Sequence, residues 1–208
     1  MKVVTTHSDT IDPALYDKAV SFVQNLAKDD DNKIRTLAFV NMGLESSSGL
    51  LWNIANKARW TKEQGEIAFL FSDADEIVGV SCVERSIKTG ISIGGIRTWV
   101  LPEYRNKNVV TNMLLNSNLE WSLENDIYGM LLTFNGYNKW IYNGIKRKAN
   151  GQGAGLAKIW SDWWNDCIIL DRPLKIRYVD QWCVAKPTGK CEPSVLKTIL
   201  DEIDDLSV

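Results

Sequence analysis

Ile96-Arg97-Thr98-Trp99-Val100-Leu101-Pro102-Glu103-Tyr104-Arg105-Asn106-Lys107-Asn108-Val109-Val110-Thr111-Asn112-Met113-Leu114-Leu115 passes from an apolar run through a polar break into a helical pattern. The spacing predicts a strand from Ile91 to Leu101, stopped by Pro102. A helix then follows, with Val109, Val110, Met113, Leu114 and Trp121 on its buried face and Asn125-Asp126 at its end. A short loop in this position aims the unpaired N–H groups of the helix's first turn outward, where the helix dipole favours an anion. Arg105 and Lys107 add positive charge there, so a phosphate-bearing ligand fits. An ordinary connection with solvated basic residues is the plainer alternative, and the local sequence leaves both open.

Upstream, Asp12 and Pro13 suit the cap and first position of a helix that buries Leu15, Ala19, Phe22, Val23 and Leu26. Asp29-Asp30-Asp31-Asn32 ends it as a solvated turn, because the glycine and terminal glutamate of a calcium loop are missing. A short helix is expected from Leu50 to Trp60. Ile67 to Phe71 and Ile77 to Val83 then form a hairpin around Asp73-Ala74-Asp75-Glu76. Lys88-Thr89-Gly90 is the next turn, and Gly94-Gly95 inside the third strand marks a bulge or a close backbone approach. Downstream come a strand from Ile127 to Phe134 and a helix from Asn138 to Lys148 with Ile141, Tyr142 and Ile145 on one face. Gly151-Gln152-Gly153-Ala154-Gly155 follows a helix rather than a strand, so it reads as a connector and not as a dinucleotide fingerprint. A short amphipathic segment from Ile159 to Trp164 precedes strands over Cys167 to Leu170 and Ile176 to Val184, and a helix from Pro193 to Leu206 closes the chain. The order implies an α+β fold, an α/β sandwich with a mixed, mostly antiparallel central sheet flanked by helices.

The 208 residues, 45% hydrophobic and 24% charged, suffice for one packed domain. Within it we expect a helical part over 1–65, a cofactor-binding core over 66–148 and C-terminal strands with a helix over 149–208. A net charge of −2 gives no footprint for nucleic acid. No apolar run reaches membrane-span length and no signal peptide is evident, so no membrane association and a cytoplasmic location are expected. One histidine, His7, and four cysteines without a Cys-x-x-Cys pair argue against a metal site; the single histidine also disfavours a Ser-His-Asp triad. Nine tryptophans are present, and Trp160, Trp163, Trp164 and Trp182 cluster late in the chain. That cluster marks either a core cap or a surface for a protein partner.

Two blocks carry a family resemblance. Val100-Leu101-Pro102-Glu103-Tyr104-Arg105 resembles the strand end and the approach to the pyrophosphate loop of the GNAT superfamily of acetyl-coenzyme A-dependent N-acetyltransferases. Asn135, Asn138, Ile141 and Tyr142 resemble that family's Asn-x-x-Ala-x-x-Leu-Tyr block. The family loop carries glycines where this chain has Asn106, Asn108 and Val110. Asparagine tolerates left-handed backbone next best after glycine, and valine is bulkier.

The resemblance implies acetyl-CoA as cofactor and a small-molecule or protein amine as substrate. It implies a pyrophosphate cradle from Arg105, Asn106, Lys107, Asn108, Val109 and Val110, and Asn135 near the cofactor arm, where the alternative is a helix cap. It implies oxyanion donors from the backbone of Trp99, Val100 and Leu101. Tyr142 would protonate the leaving thiolate, with a core-facing aromatic as the alternative. Glu84, at the end of a hairpin strand, is the best-placed carboxylate for a base, with a solvated strand end as the alternative. A GNAT-fold binding or assembly protein without catalysis is the competing reading. For it, a tailed-phage origin with a host-cytoplasm or virion location accords with the altered loop.

Overall fold

The computed structural model describes residues 1–7, 10–26, 61–86, 90–105, 110–134, 139–150, 162–176, 179–203 and 205–206. The expected Asp29–Asn32 turn, the helix from Leu50 to Trp60 and the Gly151–Gly155 connector lie outside these residues.

Helix α1, Pro13–Leu26, starts as its sequence requires. Asp12 Oδ1 accepts the N–H groups of Ala14 at 2.8 Å and Leu15 at 3.2 Å, two of the donors a helix leaves unpaired at its start. Strands β2 (Gly65–Phe71) and β3 (Ile77–Arg85) form the expected hairpin. In its turn Asp75 adopts φ 61° and Ser72 N–H donates to Glu76 O at 2.9 Å. Both strands are buried on both faces, which explains their near-continuous apolar runs.

Strand β4 (Ile91–Val100) lies antiparallel to β3, and β5 (Gly129–Phe134) lies parallel to β4. Strands β6 (Ile168–Ile169), β7 (Leu174–Ile176) and β8 (Val179–Pro187) follow. With β1 (Lys2–Thr6) at one edge and β9 (Asp205–Leu206) at the other, the described residues form a 9-stranded sheet ordered β1-β2-β3-β4-β5-β8-β7-β9, with β6 also on β8. All pairings are antiparallel except β4 with β5 and β7 with β9. This is the mixed, mostly antiparallel α+β architecture expected.

Helices cover both faces. Alternate residues of β2 and β3 (Ile67, Phe69, Val80, Cys82) pack with Ala19 and Phe22 of α1. The other set, Ala68, Leu70 and Val78, packs with Leu114. Leu114 belongs to a π-helical stretch, Val110–Leu115, that runs into α2, Asn116–Glu124. Helix α3, Lys139–Ala149, lies on the α2 face, where Tyr142 and Ile145 meet Trp121, Met130 and Leu132. Helix α4, Pro193–Glu202, covers Leu131 and Cys183 on the other face.

Three expectations need correction. The strand expected over Ile176 to Val184 is a hairpin of β7 and β8, with β8 running on to Pro187. The closing helix stops at Glu202, and Leu206 belongs to β9. The helical part expected over 1–65 begins with an edge strand, Lys2–Thr6.

The expected irregularity at Gly94-Gly95 is a bulge. The register passes from Glu84↔Ile93 to Cys82↔Ile96, so Val83 alone faces both glycines. A Cβ on Gly94 would lie 2.0 Å from Met130 Sδ and 2.3 Å from its Cγ, so Gly94 must lack a side chain for β5 to sit this close. Gly94→Ala should therefore cost about 1–3 kcal/mol in urea denaturation, as overpacking does. Adding Met130→Ala should recover part of that cost, whereas strictly additive losses would show that the two residues do not meet.

Candidate active site

The site begins where β4 and β5 part. Their parallel register runs Ile91↔Gly129, Ser92↔Met130, Ile93↔Leu131 and Gly94↔Leu132, and there it ends, although β4 continues to Val100 and β5 to Phe134. Beyond Gly94 the β5-facing edge of β4 borders a gap in the sheet. The backbone orientation along that edge follows from one bond: Leu101 N–H donates to Val78 O at 2.9 Å. Successive strand residues send their N–H and C=O groups to opposite edges, so those of Val100 point away from β3 into the gap. Of the three expected donors, Leu101 is thus bound to β3 and Val100 presents its N–H. Trp99 pairs with Val80 on the β3 side.

Arg105 closes the far end. Its Nε donates to Val100 O at 2.7 Å and its guanidinium stacks on the Trp99 ring at 4.8 Å. Pro102–Tyr104 forms a 3-10 turn that brings it back over the strand. Asn106, Lys107, Asn108 and Val109 lie outside the described residues, as do Asn135 and Trp160. Val110 opens the π-helical stretch, so its backbone begins the segment whose N-terminal end follows the loop.

Tyr142 is 2% exposed, and its hydroxyl donates to Leu170 O at 2.8 Å. Its ring packs 5.1 Å from that of Trp182. Burial pushes its pKa above the ordinary tyrosine value, with a counteracting pull from Lys146. To deliver a proton elsewhere this hydroxyl must first give up the Leu170 bond.

Glu84 is not a solvated strand end, being only 2% exposed on the face opposite α2. It faces Ile93, one residue before the β4–β5 pairing ends, whereas Val100 faces Gly79. The β3 positions Glu84 and Gly79 are about 16 Å apart along the strand. The structure therefore sets Glu84 beside the end of the gap where β4–β5 pairing stops and the Val100 N–H toward the far end, next to Arg105. His7 Nδ1 lies 3.0 Å from Gly65 O, and Gly65 pairs with Glu84. The thiols of Cys167 and Cys183 are pushed up to about 12 by burial, so both stay protonated at neutral pH and neither is a nucleophile. No group of described residues has a metal-ligating arrangement, and no described helix is long and apolar enough to cross a membrane.

The late tryptophans that are described, Trp163, Trp164 and Trp182, pack on the core. Trp164 is buried, and Trp163 meets it edge-on at 4.8 Å. Trp182 is covered by Lys139, whose Nζ sits 4.0 Å from the ring. Among the described residues the exposed tryptophan is Trp140, on α3.

Sequence reasoning passed over Glu66. It lies on the α2 face of β2, 8% exposed, beneath a groove lined by Val3, Thr5, Asn112, Met113, Asn116, Ser117 and Glu120. Burial, with added repulsion from Glu124, raises its pKa to about 7 against hydrogen bonds from Thr5 and Ser117. Its place at the head of an apolar strand was the available signal.

At the level of sequence no family model and no curated protein is matched. Solved structures do match. The chain is similar to PaiA N-acetyltransferase from Thermoplasma acidophilum in complex with coenzyme A, at 10% identity over 90% of this chain and 99% of that one, with a TM-score of 0.53. Escherichia coli ElaA matches at 10% identity over 89% and 98%, TM-score 0.52. A GNAT-family acetyltransferase from Streptococcus pneumoniae matches at 15% identity over 90% and 100%, TM-score 0.51. The fold of the chain is that of these structures.

Glu66 gives a pH test. Its folded pKa of about 7 lies above the ordinary value of 4.5, so the folded state holds the proton more tightly than the unfolded one. The resulting stabilisation is complete below pH 4.5 and is lost as pH rises through 7. Stability should thus fall by about 3 kcal/mol between pH 4.5 and 8 on this group's account. Glu66→Gln should flatten that part of the profile in urea denaturation; an unchanged profile would place Glu66 in a solvated setting.

Proposed function

We propose that this GNAT-fold chain is an acyl-coenzyme A-dependent N-acetyltransferase that uses acetyl-CoA and acylates an amine. The observation that carries the reading is the end of β4–β5 pairing at Gly94↔Leu132 together with the Val100 N–H turned into the gap. A backbone donor fixed on a strand edge is prepaid in geometry, so it suits an acyl oxygen that gains charge as the amine attacks. The edge therefore fits the acyl end of such a cofactor, which supplies the activated acyl group as a thioester. In this reading Val100 binds the acyl oxygen, with Trp99 and Leu101 holding the strand in register. The backbone of Val110, the loop of Asn106, Lys107, Asn108 and Val109, and Arg105 face the phosphates. Asn135 flanks the cofactor arm.

Glu84 is our base. It accepts the ammonium proton through a chain of waters, since it lies about 16 Å along β3 from the level of the Val100 N–H. Tyr142 is our acid, and its cycle includes exchange of the Leu170 bond for one to the leaving sulfur. A small-molecule or protein amine is the acceptor, and a cytoplasmic location suits the reaction.

Two observations favour a second reading, a GNAT-fold binding or assembly protein without turnover. Arg105 is engaged by Val100 O and the Trp99 ring, and Tyr142 is buried on a carbonyl. In that case a phage origin and a protein partner at the Trp160–Trp182 region are the matching proposals.

Calorimetry with acetyl-CoA separates the two: binding is expected, and no heat at millimolar ligand would remove the enzyme reading. Tyr142→Phe should cost about 1–2 kcal/mol of stability, because it leaves a buried carbonyl without its donor. If Tyr142 is the acid, the same variant lowers turnover while leaving acetyl-CoA affinity intact. Lost stability with unchanged turnover would make it a core tyrosine only.

A further inference from the structure

A second bulge in β4 has a consequence for the same site. The register passes from Cys82↔Ile96 to Val80↔Trp99, so Ser81 alone faces both Arg97 and Thr98. At this level β4 lacks regular ladder pairing on the β3 side, and its β5 side has already parted. Side chains bridge the place. Ser81 Oγ donates to Asn118 Oδ1 of α2 at 2.6 Å and lies 2.7 Å from Thr98 Oγ1, whose hydroxyl is then the donor. Ser81 and Asn118 are fully buried.

We propose that the relay Thr98–Ser81–Asn118 is a positioning device: it ties the parted half of β4 to α2 and so sets where the Val100 N–H stands in the gap. The amide of Asn118 supports this. Its Nδ2 is buried and finds no partner among the described residues, so asparagine is costly here relative to an apolar residue of similar size. That cost is understandable if the Oδ1 bond to Ser81 is what the position is kept for. A second buried hydroxyl pair supplies an internal comparison. Ser92 Oγ lies 2.7 Å from Ser122 Oγ, which donates to Asn118 O at 2.9 Å. It joins the same two elements, but at Ser92, where β4 is paired on both sides with Arg85 and Met130. There the backbone ladder already fixes the strand.

The acyl-positioning role rests on the proposed acetyltransferase function; the hold on β4 does not. The test uses the full chain with Thr98→Val, which removes the hydroxyl at nearly constant volume, Thr98→Ser, which keeps it, and Ser92→Ala as comparator. Amide hydrogen exchange over residues 96–101 should quicken about tenfold in Thr98→Val, return toward wild type in Thr98→Ser, and stay unchanged in Ser92→Ala. By calorimetry Thr98→Val should weaken acetyl-CoA about fivefold more than it weakens coenzyme A, because the acyl carbonyl is what the edge contacts. Unchanged exchange in Thr98→Val, or equal quickening in all three variants, overturns the relay. Quickened exchange with equal weakening of the two ligands overturns its role in acyl positioning. Wild-type protein that binds neither ligand removes the acetyltransferase proposal instead, and the exchange measurement still decides whether the relay holds β4.

Discussion

A single interruption organises this molecule: the parallel pairing of β4 with β5 stops at Gly94↔Leu132 while both strands run on. A sheet that leaves strand edges unpaired inside a packed domain must hold them by other means. Here the means are visible. Gly94 has no side chain, so Met130 can occupy the space beside it. The bulge at Gly94-Gly95 bends β4 at the point of parting. Arg105 satisfies the Val100 carbonyl, Leu101 N–H is taken by Val78, and Ser81 with Asn118 grips the second bulge. On that edge the Val100 N–H is fixed in direction by its neighbours.

Such a site draws its chemistry from the backbone, and that reconciles the composition with an enzymatic reading. A chain with one histidine, without a metal-ligating group among its described residues and with its buried thiols protonated has few side chains for hydrolysis by nucleophile or metal. An oriented amide needs none of these. The carboxylates matter through their surroundings. Glu84 is buried beside the end of the gap where β4–β5 pairing stops, while Glu66, on the other face, is held near neutrality by burial and by Glu124. The same burial that fixes Tyr142 on Leu170 makes its hydroxyl a weaker acid, so the side-chain half of the mechanism depends on motion that the backbone half does not need.

Much of this was legible in the sequence. The apolar runs Ile67 to Phe71 and Ile77 to Val83 with an acidic turn between them read as a hairpin. Pro102 marked the end of β4, Gly94-Gly95 its bulge, and Asp12-Pro13 the start of α1, each because one residue type has a local conformational consequence. The elements that escaped are those fixed from a distance. Strand β1 is short, half exposed and defined by its pairing with β2, and β9 exists through β7. Glu84 read more readily as a solvated strand end, because burial at a strand end is decided by what packs over it. Tyr142 showed its helix face but not its hydrogen-bond partner 28 residues on. Ser81, Thr98 and Asn118 carry no motif. They meet only once a bulge has set two β4 residues against one of β3.

The account stands on the Val100 amide. In an isotope-labelled sample titrated with acetyl-CoA and separately with coenzyme A, the account predicts that the Val100 N–H resonance moves strongly with the acylated ligand and much less with the free thiol. Residues of β1 and α1 should stay still. A Val100 resonance that ignores acetyl-CoA, while the ligand binds and shifts other residues, would contradict it.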